Sequence, residues 1–169
     1  LEIDTASGKV LRSFPVGAVP YDVVLVGQKA FVSNWAGRRP QAGDLTGPAG
    51  RGTEIRVDPV RHIASEGSVT ILHLDDEAKP TVEILTRLHA SALAVSPDKK
   101  YVVCANAGSD NLSFLNVETE SVTETVWVKS KPSDLFGATA NGLAFDPSGK
   151  QLYVANGSQN AIAVLKFDP

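Results

Sequence analysis

Apolar and polar positions alternate along most of this chain in short runs, each closed by a turn of Gly, Pro, Asn, Asp or Ser. Leu1-Glu-Ile3 ends one strand, Asp4–Gly8 turns, and Lys9–Val16 forms the next. Tyr21–Val26 is a continuous apolar run, the pattern of a strand buried on both faces. Gly27-Gln28 is a two-residue hairpin turn that returns the chain through Lys29–Ser33. Gly67–Leu74 and Thr81–Leu85 resume the alternation, followed by Ala92–Val95, Tyr101–Ala105, Leu112–Val117 and Val122–Val128. The last strands are Gly142–Phe145, Leu152–Ala155 and Ala161–Leu165. No stretch carries an amphipathic helical period, so the pattern predicts an all-β chain.

The strands repeat. Aligning Asn106 with Asn156 superposes Pro97 on Pro147, Leu93 on Leu143, Val103 on Tyr153 and Leu112 on Ile162, with a constant offset of fifty. Aligning Asn34 with Asn106 matches Phe31 to Val103 and, once a long insertion is removed, Val69 to Leu112. Four short strands recurring about every forty residues are the signature of propeller blades. The fold class predicted is a segment of a β-propeller of four-stranded antiparallel blades, with a long insertion in one b–c loop. With strands named a to d from the axis outward, residues 1–17 supply c and d of one blade. Residues 21–85 form a blade with an insertion at 35–66, residues 91–128 form another, and 141–169 supply strands a to c of a further one. A β-sandwich is the rival, but it would not repeat an Asn after each second strand.

Composition narrows the classes. A hydrophobic content of 43% supports a real core, and no apolar run is long enough for a membrane helix. A net charge of -3 speaks against non-specific nucleic-acid binding. The single cysteine, Cys104, lies in an apolar run and fits a buried structural thiol. The chain starts at Leu1 and has no methionine, from which we expect a piece of a longer protein.

Pro147-Ser-Gly-Lys150 with Leu152-Tyr-Val-Ala-Asn156, and Ser68–Leu74, resemble the YVTN-type (YncE-like) repeat of bacterial β-propellers. Within the insertion, Ser33–Pro40, Gly43-Asp44, Thr53–Asp58 and Gly67-Ser-Val69 are similar to one blade of a group in which such a propeller precedes an alkaline-phosphatase-like phosphoesterase domain. The resemblance implies a periplasmic or extracellular bacterial protein. It also implies a parent that hydrolyses phosphoesters with bound metal, its nucleophile and metal ligands lying in the second domain. No catalytic residue carries over onto this chain. Two departures stand out: Lys99-Lys100-Tyr101 lacks the usual turn Gly, and Cys104 replaces a typical aliphatic residue.

Candidate chemistry gathers where the repeat is broken. The b–c and d–a loops share one face of a propeller, the face that usually holds the ligand funnel. That face would collect Trp35, Arg38, Arg39, Asp44, His62 and His89 as candidate ligand-binding residues, with Arg51, Asp58 and Arg61 nearby and Lys129, Lys131, Asp134 and Phe136 from another loop. Arg38-Arg39 fits a solvated or salt-bridged loop pair better than the fork for phosphate or carboxylate that it could also form. Trp35 fits a pocket wall or a packing residue of the insertion. Asn34 joins the residues of that face, while Asn106 and Asn156 fit a scaffold role, since one site needs no copy per blade. Histidine spacing matches no metal motif, and a site from His62, His89, Asp44 and Asp58 would require spatial convergence. No catalytic set, cofactor or metal is expected. The reading is a non-catalytic scaffold for a small-molecule or protein ligand, with the remaining blades and a phosphoesterase domain of the parent as partners and self-association through open blade edges. The alternatives are a propeller enzyme (a lactonase or quinoprotein-like oxidoreductase) and a structural surface repeat protein.

Overall fold

A computed structural model describes residues 1–168 apart from 77, 130 and 132. The described residues form antiparallel sheets and a single short 3-10 turn at Gly157–Gln159. A two-stranded ribbon of β1 (Glu2–Ile3) and β2 (Val10–Arg12) comes first. A four-stranded sheet follows from β3 (Pro20–Val26), β4 (Lys29–Asn34), β7 (Gly67–His73) and β8 (Val82–Thr86). Between β4 and β7 the insertion folds as its own hairpin, β5 (Thr46–Pro48) with β6 (Glu54–Arg56), extended by a bridge from Val57 to Ala64. The second four-stranded sheet is β9 (Ala90–Val95), β10 (Tyr101–Asn106), β11 (Asn111–Asn116) and β12 (Ser121–Trp127). The last is β13 (Ala140–Phe145), β14 (Gln151–Asn156) and β15 (Ala161–Lys166). Within each sheet the strands meander in chain order, and the first strands β3, β9 and β13 lie beside one another, as blades do around an axis.

The core sits between sheets. Phe31, Val69 and Ile71 of one sheet pack against Leu93, Val102, Cys104 and Leu115 of the next. The opposite face of that second sheet, through Val103, Ala105, Leu112 and Phe114, packs on Ala140, Leu152 and Val154 of the third. Strand β10 is therefore buried on both faces, which is why its sequence is a continuous apolar run. Burial pushes the Cys104 thiol up to about 12 and makes it a structural side chain.

Repeat-equivalent positions differ where a neighbouring sheet is missing. Leu112 is 0% exposed and its counterpart Ile162 is 61% exposed. Tyr21–Val26 corrects the expectation of two-sided burial: Val23 and Leu25 are 58% and 62% exposed. Among the described residues that face meets only the β1–β2 ribbon, across a groove of about 730 Å³. Lys9–Val16 is also shorter as a strand than expected, ending at Arg12 ahead of Pro15.

Polar staples fix one sheet to the next. Asp22 Oδ2 accepts the Leu93 N–H at 2.9 Å, and Ser91 Oγ donates to the Ala140 carbonyl at 3.1 Å. Buried Asp110 accepts the Gly137 N–H at 2.6 Å and the Thr139 N–H at 3.0 Å, tying the second sheet to the loop that enters the third. On the opposite edge, Glu120 receives Lys29 Nζ at 2.6 Å and contacts His73 Nε2 at 2.9 Å. Replacing Asp110 by Ala removes two charge-assisted bonds and strands two amides. We predict a loss of about 2–4 kcal/mol, read as a lower melting temperature, with an unchanged melt contradicting the staple.

Candidate functional site

Each inner strand is entered in the same way. The residue before it adopts the left-handed conformation: Val19 (φ 56°), His89 (φ 61°) and Thr139 (φ 54°). None is glycine, and a β-branched Val or Thr resists this region, so the surrounding bonds must hold it. They are the same bonds each time. The carbonyl of the left-handed residue accepts the N–H that follows the strand-end Asn: Trp35 to Val19 at 2.9 Å, Ala107 to His89 at 3.0 Å, Gly157 to Thr139 at 3.2 Å. The Asn residues are buried framework, as the repeat suggests. Asn34 Nδ2 donates to Ser68 Oγ and Thr70 Oγ1, Asn106 Nδ2 to Asn111 Oδ1 and Ser113 Oγ, and Asn156 Nδ2 to the Val128 carbonyl.

This device brings Trp35 of one sheet onto His89 of the next. Their rings stack in parallel, with centroids 3.9 Å apart and planes inclined by 5°. On the imidazole, Gly108 closes the packing: a Cβ there would lie 2.5 Å from Nδ1 and would push the ring from its place. The His89 Nε2 is buried with no hydrogen-bond partner among the described residues. Burial first, and the nearby Arg61 charge second, lower the His89 pKa from the ordinary 6.5 and favour the neutral ring.

The insertion hairpin roofs this stack. Ile55 and Ala64 pack on Ala18 and Ala36, with Val19, Trp35 and Val57 around them. Beneath the roof is a cleft of about 840 Å³, walled by Trp35, His62, His89 and Ile63 and by the Thr46–Ala49 turn. Most of that wall is apolar.

The other candidates hold the roof up. Arg38 forks onto Asp44, Nη1 to Oδ2 at 2.8 Å and Nη2 to Oδ1 at 2.9 Å. Arg56 joins Asp44 at 3.3 Å and Glu66 at 2.6 Å. The Arg38 bond first, then the Gln41 N–H, hold the Asp44 carboxyl well below the usual carboxylate range. Arg39 points elsewhere, its Nε donating to the Val16 carbonyl at 2.7 Å, so the two arginines do not converge. Asp58 caps its own turn, accepting the Val60 and Arg61 N–H groups at 2.9 and 2.8 Å. Trp35, His62 and His89 thus share the cleft, while Arg38, Asp44 and Asp58 are engaged within the insertion and Arg39 reaches back to the Val16 carbonyl. No three His, Cys, Asp or Glu side chains converge among the described residues. Sequence reasoning missed Arg56, Glu66 and Gly108; opposite charges bracketing the insertion were the available signal for the first two.

The family model of the lactonases, seven-bladed β-propellers, matches residues 61–169. The chain belongs to that lactonase family. No curated protein matches it. Among solved structures, Kuenenia stuttgartiensis hydrazine synthase aligns with a TM-score of 0.60 at 22% identity, over 94% of this chain and 36% of that one. The chain therefore spans about a third of that protein's length, and the likeness is one of fold. Kluyvelomyces marxianus Hsv2 aligns at a TM-score of 0.41 and 12% identity, over 99% of this chain and 53% of that one, and carries no argument.

In this lactonase-family segment the matched region holds His62 and His89 but not Trp35, which lies upstream of it. Two outcomes follow. Because the His89 pKa is lowered, the unfolded chain takes up the proton first, and this residue's contribution to stability falls as the pH drops below about 6.5. In NMR the folded ring should titrate below 6.5, and Trp35→Ala should move the midpoint back up; a midpoint at or above 6.5 in the parent contradicts the burial argument. Asp44→Asn should speed hydrogen exchange in 46–57 and leave the two complete sheets protected. Unchanged exchange there would show that the ion pairs do not hold the roof.

Proposed function

We propose that this chain is the ligand-binding face of a larger β-propeller protein, and that the cleft between the insertion hairpin and the Trp35–His89 stack takes a small planar ligand. The observation that carries this is the His89 Nε2: buried, unpartnered among the described residues, and belonging to a ring that lines an apolar cleft. A native protein pairs its buried polar atoms, so an unpaired one at a cleft wall offers a hydrogen bond to a ligand. Trp35 supplies an aromatic surface beside it. The flanking blade faces would pack on further blades of the parent or on a second copy. By its resemblance to YVTN-type repeats, we place that parent in the periplasm or at the surface of a bacterium, with a phosphoesterase domain supplying any phosphoester chemistry.

A second reading has its own support. The family is named for lactonases, and a histidine held neutral is the state a general base needs. His89 would then activate water against a lactone carbonyl bound in the same cleft.

One probe serves both readings. With Trp127→Phe, Trp35 is the remaining tryptophan, and titration with the aryl lactone dihydrocoumarin should quench it saturably. His89→Ala should weaken binding by about tenfold, in line with one lost buried hydrogen bond. Ring opening above the uncatalysed rate, abolished by His89→Ala, favours the second reading. No saturable quenching overturns both. Hydrolysis of an aryl phosphate by this chain alone would overturn the assignment of phosphoester chemistry to another domain.

A further inference from the structure

We infer that the recess on the other side of the Gly108–His89 contact is a second ligand site, one that takes the anionic group of a small aryl carboxylate or aryl phosphate. Gly108 packs on His89 and lines a separate recess of about 660 Å³. Arg61 and Arg87 enter this recess from different loops, and Trp127 and Phe136 wall it. No carboxylate among the described residues lines it. Arg87 makes no ion pair among the described residues, and Arg61 is held by Asp58 through one long 3.3 Å contact with its side chain half exposed. Asn111 accepts from Asn106 through its Oδ1, which leaves its own amide NH2 as a donor at the recess. Asp110, the nearest buried carboxylate in sequence, is taken up by the Gly137 and Thr139 amides. Two guanidinium forks with amide and hydroxyl donors beside them form a site for an oxyanion.

The aromatic wall fixes the rest of the ligand. The Trp127 and Phe136 rings lie 5.9 Å apart, and Lys129 Nζ sits 5.0 Å from one centroid and 4.6 Å from the other. The lysine pins both rings from their faces, leaving an apolar edge next to the cationic floor. A flat ring carrying one oxyanion matches both halves of the recess. Carboxylate and phosphate share this chemistry, and a test can separate them.

In the Trp35→Phe chain, Trp127 is the remaining tryptophan, so its emission is independent of the cleft that Trp35 reports. Titration with benzoate and with phenyl phosphate should quench it saturably. Quenching by benzoate alone assigns a carboxylate, by phenyl phosphate alone a phosphate; either supports the site. Arg87→Ala and Arg61→Ala should each weaken binding about tenfold with the melting curve unchanged. Neutral benzyl alcohol should not saturate the signal. The inference is overturned if neither anion gives saturable quenching, if benzyl alcohol binds as tightly, or if Arg87→Ala binds like the parent.

Discussion

Each of the three larger sheets in this chain depends on another lying flat against it. An isolated four-stranded meander would leave Phe31, Ile71, Val102, Leu112 and Leu115 in water, and hydrophobic burial is the main term that offsets the entropy of ordering the chain. The interface between sheets is therefore the unit of folding, and the position of each blade is set by its neighbour. Ile162 and Leu112 make the point as a pair. They hold equivalent places in the repeat, yet one is exposed and the other sealed, and the difference is whether a further sheet covers it.

The same dependence shapes the face on which we propose the ligand cleft. Because sheets are positioned by each other, loops from adjacent blades meet at fixed separations. The left-handed residue that opens each inner strand is locked by a backbone bond from the neighbouring loop of its own blade. In this slot the chain places Val19, His89 and Thr139. Only the middle one is a titratable ring, and only there does the preceding blade lay an indole over it. A framework position has become a stacked aromatic pair through two side-chain choices. The insertion then supplies what the framework lacks, a roof, and four of its charged residues, Arg38, Asp44, Arg56 and Glu66, hold the roof in place.

Much of this was legible before any coordinates. The constant offset between Asn106 and Asn156 places the strands and turns, because a repeated blade must repeat its pattern of burial. The break after Asn34 marks where the chain leaves the blade pattern and adds the β5–β6 hairpin. What was not legible shares a physical cause: it depends on contacts between distant segments. Thr46-Gly-Pro48 has the composition of a turn, and it is a strand only because Glu54–Arg56 pairs with it. The left-handed positions carry Val, His and Thr, none of which announces positive φ. Arg38 and Arg39 look like one fork in sequence, but successive residues point apart, one to Asp44 and one to a backbone carbonyl. The stacking of Trp35 on His89 joins residues 54 positions apart and needs the blade interface to exist.

The central claim is that the cleft over the Trp35–His89 stack is where this propeller face meets its ligand. The most direct measurement is a crystallographic screen of small planar fragments against the unmodified chain. The account predicts fragments bound beneath the insertion hairpin, in contact with the Trp35 ring and hydrogen-bonded to His89 Nε2. A screen in which that cleft stays empty, while fragments gather at other surfaces, would contradict it.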